Sequence, residues 1–193
     1  MEVKLLAYTP NPDLLCADIA CICYQSRKET EEEKLSLLRS IIKKGHESVI
    51  EHANFTFLIK GISRVASHQL VRHRIASYTQ QSLRYTKAAE YELPESLKDD
   101  FQSQFYLNSL FSFYQSLIEK GIKKEDARYI LPNAVTSDLV VTMNARELRH
   151  FFILRLDKRA QEEIRNIAQK MLEEVKKVTK VLFEDFGEED ERN

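Results

Sequence analysis

Residues 69–85 read QLVRHRIASYTQQSLRY. Arg72, His73 and Arg74 stand side by side; seven residues intervene before Ser82, and one more separates it from Arg84 and Tyr85. Just upstream, Ser63 can cap a helix over residues 63–74, on which Gln69, Arg72 and His73 would share a face at i, i+3 and i+4. Just downstream, residues 77–85 are too polar and irregular for a helix. They read as a loop or short extended segment projecting Gln80, Ser82 and Arg84. The surroundings are equally biased. No Asp or Glu occurs from His52 to Ala89, where 30 acids in 193 residues would place roughly six by chance. Lys60, Arg64, Arg72, Arg74, Arg84 and Lys87 all fall inside that window. Guanidinium forks bind phosphate and carboxylate oxygens two at a time, so the zone suits an anionic ligand. The whole chain carries a formal charge of only -1, which argues against a general nucleic-acid binder.

Further out, residues 3–9 read as a short strand, 54–62 as a strand with Phe55, Phe57 and Ile59 on alternate positions, and 134–143 as a Val- and Thr-rich strand. Residues 13–24 carry Leu14, Leu15, Ile19 and Ile22 at helical spacing, with the cysteines adding to the same buried face. Residues 31–44 form a second helix with acids in its first turn, lysines in its last and Gly45 beyond it. The spacing predicts long helices over 97–120 and 160–186, a short one over 123–130, and one opened by Asn144. Leu97, Phe101, Phe105, Leu110, Tyr114, Leu117 and Ile118 form a stripe expected to lie in the core. The expected class is α+β (or α/β): one domain over residues 1–186, with a modest, mainly antiparallel sheet flanked by helices. Residues 187–193, GEEDERN, are expected to form a disordered acidic tail.

Several chemistries are excluded. The four glycines are far apart, so neither a dinucleotide fingerprint nor a P-loop can be built. The three cysteines, Cys16, Cys21 and Cys23, lack Cys-x-x-Cys spacing and read as free thiols. His46 and His52 are six apart, whereas a helical zinc-protease site needs histidines four apart on one face, so no metal is expected. The N-terminus lacks the basic head and apolar run of a secretory signal, and no apolar run reaches membrane-spanning length. A cytoplasmic protein with no membrane partner is expected.

What remains is rich in arginine and poor in nucleophiles. Ser82 has no G-x-S-x-G elbow, and no Asp stands nearby to orient His73. His73 between two arginines should resist protonation. Arg72, Arg74, Arg84, Arg128, Arg146 and Arg155 cannot act as bases, but they can bind phosphates and stabilise a developing anion. Such a site suggests a cofactor that supplies the difficult chemistry.

RHRIASYTQQSLRY resembles the signature of the flavin-dependent thymidylate synthases, the ThyX family: Arg-His-Arg, seven residues, Ser, one residue, Arg-Tyr. The resemblance extends through GHESVIEHANFTF before it and ARYILP, NARELRHFFILR and AQEEIR after it. It implies conversion of dUMP to dTMP, with FAD as hydride carrier, methylenetetrahydrofolate as carbon donor and NADPH as reductant, and no enzyme cysteine attacking the uracil. It also implies a homotetramer with active sites at subunit interfaces and no nucleic-acid partner. By matching motif, His52, Asn54, Arg72, His73, Arg74, Gln80, Asn144, Arg146 and His150 would contact FAD. Gln69, Arg72, Gln80, Gln81, Ser82, Leu83, Arg84, Arg128 and Arg155 would hold dUMP. Arg155 matches the arginine that favours the ionised uracil ring. Three positions depart from the family pattern: Thr79-Gln80 stands for Asn-Glu, His150 for the Asn of some members, and Arg159 for a frequent His.

Two other readings use the same residues. A helical nucleic-acid-binding module would exploit the basic helix and the tyrosines between residues 78 and 85, and a flavoprotein could keep the cofactor without methylating dUMP.

Overall fold

The alternation in residues 54–62 sets up a sheet buried on one face. In a computed structural model that describes residues 1–25, 27–88 and 90–187, this segment is β2 (Asn54–Ser63). It pairs antiparallel with β1 (Glu2–Tyr8) on one side and β4 (Thr136–Asn144) on the other. β3 (Ala76–Gln80) completes the order β1-β2-β4-β3, pairing antiparallel with β4 at the edge. The fold is α+β, as the sequence leads one to expect. Phe55, Phe57 and Ile59 on β2 meet Leu139, Val141 and Met143 on β4 in a single buried cluster, each large side chain contributing about 1.5–3 kcal/mol by leaving water. The opposite face is more polar, with the Thr56 and Thr142 hydroxyls 2.9 Å apart. β2 bulges between Ile59 and Ile62, where Gly61 takes φ +66°. Its N–H donates to Asp138 across the distortion at 3.0 Å, and a side chain would be strained in that backbone.

Helices cover the apolar face. α1 (Pro12–Cys23) and α2 (Glu31–Lys43) supply Cys16, Ala17, Ala20, Leu38 and Ile41 to the core. α2 is closed at both ends by local chemistry. Thr30 and Glu33 form a reciprocal capping box. Beyond the other end, Gly45 and His46 return their N–H groups to Ile42 and Ile41 at 2.9 and 3.1 Å, a Schellman turn that needs the left-handed Gly45. A 3-10 turn, Glu47–His52, then leads into β2. Of the cysteines only Cys16 is fully buried; Cys23 and Ile22 face outward, so the expected apolar face of α1 is narrower than its sequence suggests.

Four helical expectations need correction. α3 (Arg64–Leu70) is capped by Ser63, whose Oγ accepts from Ala66 N at 3.1 Å, but it stops well short of Arg74. The Tyr78 hydroxyl lies 2.8 Å from the carbonyls of both Leu70 and His73, so β3 folds back on the chain and turns it out of the helix. The segment over 97–120 is two helices, α4 (Glu95–Lys98) and α5 (Phe101–Glu119). Asp100 breaks it, accepting from Ser103 N at 2.7 Å as the cap of the second. Nor is the α5 stripe core: Phe101 and Phe105 are 77% and 56% exposed, and only Tyr114 on this helix is buried. After α6 (Lys124–Ala127), the 3-10 turn Arg128–Ile130 and β4 comes α7 (Ala145–Arg155), capped by Asn144. The last helix, α8 (Glu162–Lys176), ends ten residues short of Phe186. There the Asp13 carboxylate receives the N–H groups of Lys180, Val181 and Leu182 at 2.5, 3.3 and 3.0 Å, diverting the chain into turns that bury Val181, Leu182 and Phe183. All but the first residue of the expected acidic tail lies outside the described residues.

Candidate active site

The turn that ends α3 leaves Arg72 and Arg74 exposed while His73 turns inward to 4% exposure. Sharing a helical face with Gln69 is therefore not how these residues meet. Instead α7 brings its own side chains to the turn. Glu147 Oε1 lies 3.1 Å from His73 Nδ1, and Arg155 Nε donates to His73 Nε2 at 3.2 Å. Arg155 Nη2 also reaches the Gln69 carbonyl at 3.4 Å. Burial first, then the charges of Arg155 and His150, press the His73 pKa down to about 4. The expected neutral His73 is thus correct in sign, but burial and Arg155, not its sequence neighbours, are the cause. Burial also raises the Glu147 pKa above the usual carboxylate value. At neutral pH the contact is a hydrogen bond from a neutral imidazole rather than an ion pair. Among the described residues Arg72 and Arg74 make no ion pair, so both guanidiniums are available to a ligand.

The same end of the sheet holds Asn54 and Asn144, opposite each other on β2 and β4. Asn54 Nδ2 donates to the His52 carbonyl at 3.3 Å. Arg146, one residue into α7, is paired with Glu51 and lies 3.8 Å from Glu47. Glu47 also meets the buried Arg149 at 3.4 Å. His150 stands with its ring centre 5.7 Å from that of His73.

Ser82 and its neighbours lie elsewhere. Gln80 Nε2 donates to Ser137 at 2.7 Å, and Gln81 is tied to Asp138 through both backbone and side chain. The loop after β3 is closed by the Tyr85 and Thr86 N–H groups on the Ser82 carbonyl. Lys124 Nζ binds the Tyr85 carbonyl at 2.6 Å, docking α6 on this loop. Glu125 gathers the two arginines: its carboxylate lies 3.4 Å from Arg84 Nη2, and its carbonyl accepts from Arg128 Nε at 3.2 Å. Leu83 is buried, so its side chain turns away from any ligand on this surface.

The matches to known proteins span this whole arrangement. The family model described as "Thymidylate synthase complementing protein" matches residues 4–179. A flavin-dependent thymidylate synthase of Geobacter sulfurreducens is 46% identical, over 97% of this chain and 87% of its own. One from Pyrococcus horikoshii is 50% identical, over 92% of this chain and 80% of its own. The chain belongs to the ThyX family of flavin-dependent thymidylate synthases. The crystal structure of ThyX from Helicobacter pylori complexed with FAD and dUMP superposes with a TM-score of 0.82 at 29% identity, covering 96% of this chain and 99% of that one. As a ThyX enzyme the chain converts dUMP to dTMP.

The ThyX signature is thereby split in space. Arg72, His73 and Arg74 precede β3 and Ser82 and Arg84 follow it, and four residue steps at about 3.4 Å hold the strand's ends roughly 14 Å apart. Gln69, Arg72, His73 and Arg155 gather at one end; Gln80, Ser82, Arg84 and Arg128 gather at the other. Arg72 and Arg74, both exposed and without an acid partner among the described residues, have the donor chemistry for phosphate oxygens. Sequence reading missed Glu147, which binds the neutral His73, and Glu125, Glu47 and Glu51, which pair with Arg84, Arg146 and Arg149. Glu147 sits three residues after Asn144, a spacing that reads as helix capping. Its N–H does donate to Asn144 Oδ1 at 2.9 Å, while its carboxylate turns to His73. Among the described residues no helix is long and apolar enough to cross a membrane.

Proposed function

We propose that the chain carries out its methylation of dUMP in a pocket made by two copies of itself, with Arg155 stabilising negative charge on the uracil ring. One observation carries the reading: the arginines of the signature are divided between the two ends of β3. A nucleotide with its ring at Arg155 lies beside Gln69 and Arg72, while Ser82, Arg84 and Arg128 of the same chain stand a strand's length away. A neighbouring copy that presents its Ser82, Arg84 and Arg128 opposite Gln69, Arg72 and Arg155 completes the set. The exposed Phe101, Phe105, Tyr106 and Phe113 of α5 support such an assembly, because a face this apolar is suited to burial against another chain. The homotetramer is the assembly proposed.

Arg155 suits its role. Two of its contacts, to His73 and the Gln69 carbonyl, fix the guanidinium, and its remaining N–H donors can meet an oxygen that gains charge as the ring ionises. Such charge placement makes carbon 5 of the ring more nucleophilic without attack by an enzyme side chain. Arg72, Arg84 and Arg128 bind the dUMP phosphate, with Gln69, Gln80, Gln81, Ser82 and the Leu83 main chain around the nucleoside. His52, Asn54, Arg72, His73, Arg74, Gln80, Asn144, Arg146 and His150 hold the flavin. When bound, FAD supplies the hydride, with methylenetetrahydrofolate as carbon donor and NADPH as reductant. A cytoplasmic location goes with this reading.

Arg155→Ala should lower dTMP formation at least a hundredfold while leaving the circular-dichroism spectrum unchanged. Near-normal turnover by that variant removes Arg155 from its role. Flavin absorbance bands that shift when dUMP is added place both ligands in one pocket; bands indifferent to dUMP count against it.

A further inference from the structure

Arg155 can act on a substrate ring only if its guanidinium is aimed, and its Nε–H is spent on His73 Nε2 at 3.2 Å. Arginine only donates hydrogen bonds, so Nε2 must present a lone pair. The proton of the neutral imidazole therefore sits on Nδ1. That atom faces Glu147 Oε1 at 3.1 Å, and the carboxylate is 7% exposed. Which ring nitrogen carries the proton is set by the hydrogen bond the other environment offers. With the proton moved to Nε2, two N–H groups would point at one another and the guanidinium would be driven off its perch. The ring is held against turning over by Phe151, packed edge-on with centroids 4.9 Å apart.

We propose that Glu147 is a positioning residue for the methylation reaction: by holding the His73 proton on Nδ1, it keeps Nε2 as the acceptor that orients Arg155. This rests on the role given above to Arg155. The low His73 pKa agrees, since a ring that stays neutral across ordinary working pH always has one nitrogen free to accept. Glu147 touches neither nucleotide nor flavin in this scheme. It acts through two successive hydrogen bonds, and its chemistry requirement is narrow: an oxygen that accepts.

Two variants separate this from simple structural support. Glu147→Gln keeps an accepting oxygen, and Arg155 on the far side of the ring selects the amide orientation that uses it. Glu147→Leu fills a similar volume and accepts nothing. Nitrogen-15 NMR of the flavin-loaded enzyme, labelled at its five histidines, reads the tautomer directly. The expected result is Nδ1–H for His73 in the parent and in E147Q, with Nε2–H in E147L. The kcat for dTMP formation should fall about tenfold to a hundredfold in E147L and stay within a few-fold in E147Q. An Nε2–H tautomer in the parent overturns the proposal even if E147L fails to fold. So does equal loss of kcat in both variants with the tautomer unchanged. If instead the parent enzyme forms no dTMP, or Arg155→Ala retains its activity, the Arg155 assignment fails, while the NMR result still decides what Glu147 does to the ring.

Discussion

His73 concentrates the residue-scale physics of the site. Its folded pKa of about 4 lies below the ordinary 6.5, so between those values the unfolded chain binds a proton that the folded chain refuses. Stability from the buried neutral ring is therefore fully present above about pH 6.5 and is lost as pH falls toward 4. Replacing His73 with Gln removes the titration. Unfolding midpoints measured from pH 7 down to pH 4.5 should fall more steeply for the parent than for His73→Gln, and parallel curves would remove this account. The Arg-His-Arg run and its spacing to Ser82 are legible in the sequence because they are contiguous. The side chains that give the run its properties are not. Glu147 is 74 positions from His73 and Arg155 is 82, and no local pattern reports a contact made by packing α7 against the end of α3.

Elements were legible where their ends are set by neighbours in sequence. Ser63, Asn144 and Gly45, each read from the sequence, mark helix boundaries that the fold uses. Ends set at long range were not. α8 stops where it does because Asp13, on a helix more than 160 positions away, captures three backbone N–H groups. Asp13→Ala leaves those donors unsatisfied in a mostly buried turn, a loss on the order of 3 kcal/mol. The melting temperature should drop by roughly 6–12 °C, with Asp13→Asn less affected because an amide oxygen still accepts. Equal melting of parent and Asp13→Ala would show that the turn is held by its apolar side chains alone. The α5 stripe misled for a different reason. Periodicity identifies an apolar face, but says nothing of whether the same chain or another covers it.

At the scale of the molecule, the divided signature makes subunit mixing the decisive measurement. Arg155→Ala and Arg84→Ala each disable a different end of β3, so each alone should be inactive. Unfolded together and refolded as mixed oligomers, they should regain part of the parental activity, because some pockets then receive an intact Arg155 from one chain and an intact Arg84 from another. No recovery on mixing would confine the pocket to a single chain. Charging the apolar face should act on the assembly itself: Phe105→Glu is expected to shift the protein to smaller species in size-exclusion chromatography and to lower activity with it. An unchanged elution volume would leave α5 without a partner copy.

β3 also accounts for the seven residues between Arg74 and Ser82. Five of them, Ala76–Gln80, are extended chain, with Ala76, Tyr78 and Gln80 toward one side and Ser77 and Thr79 toward the other. Dropping one residue would reverse which side chains face the helices; adding two would keep that alternation yet carry the serine loop some 7 Å farther out. The gap works as a ruler, and its tolerance is set by the pleat.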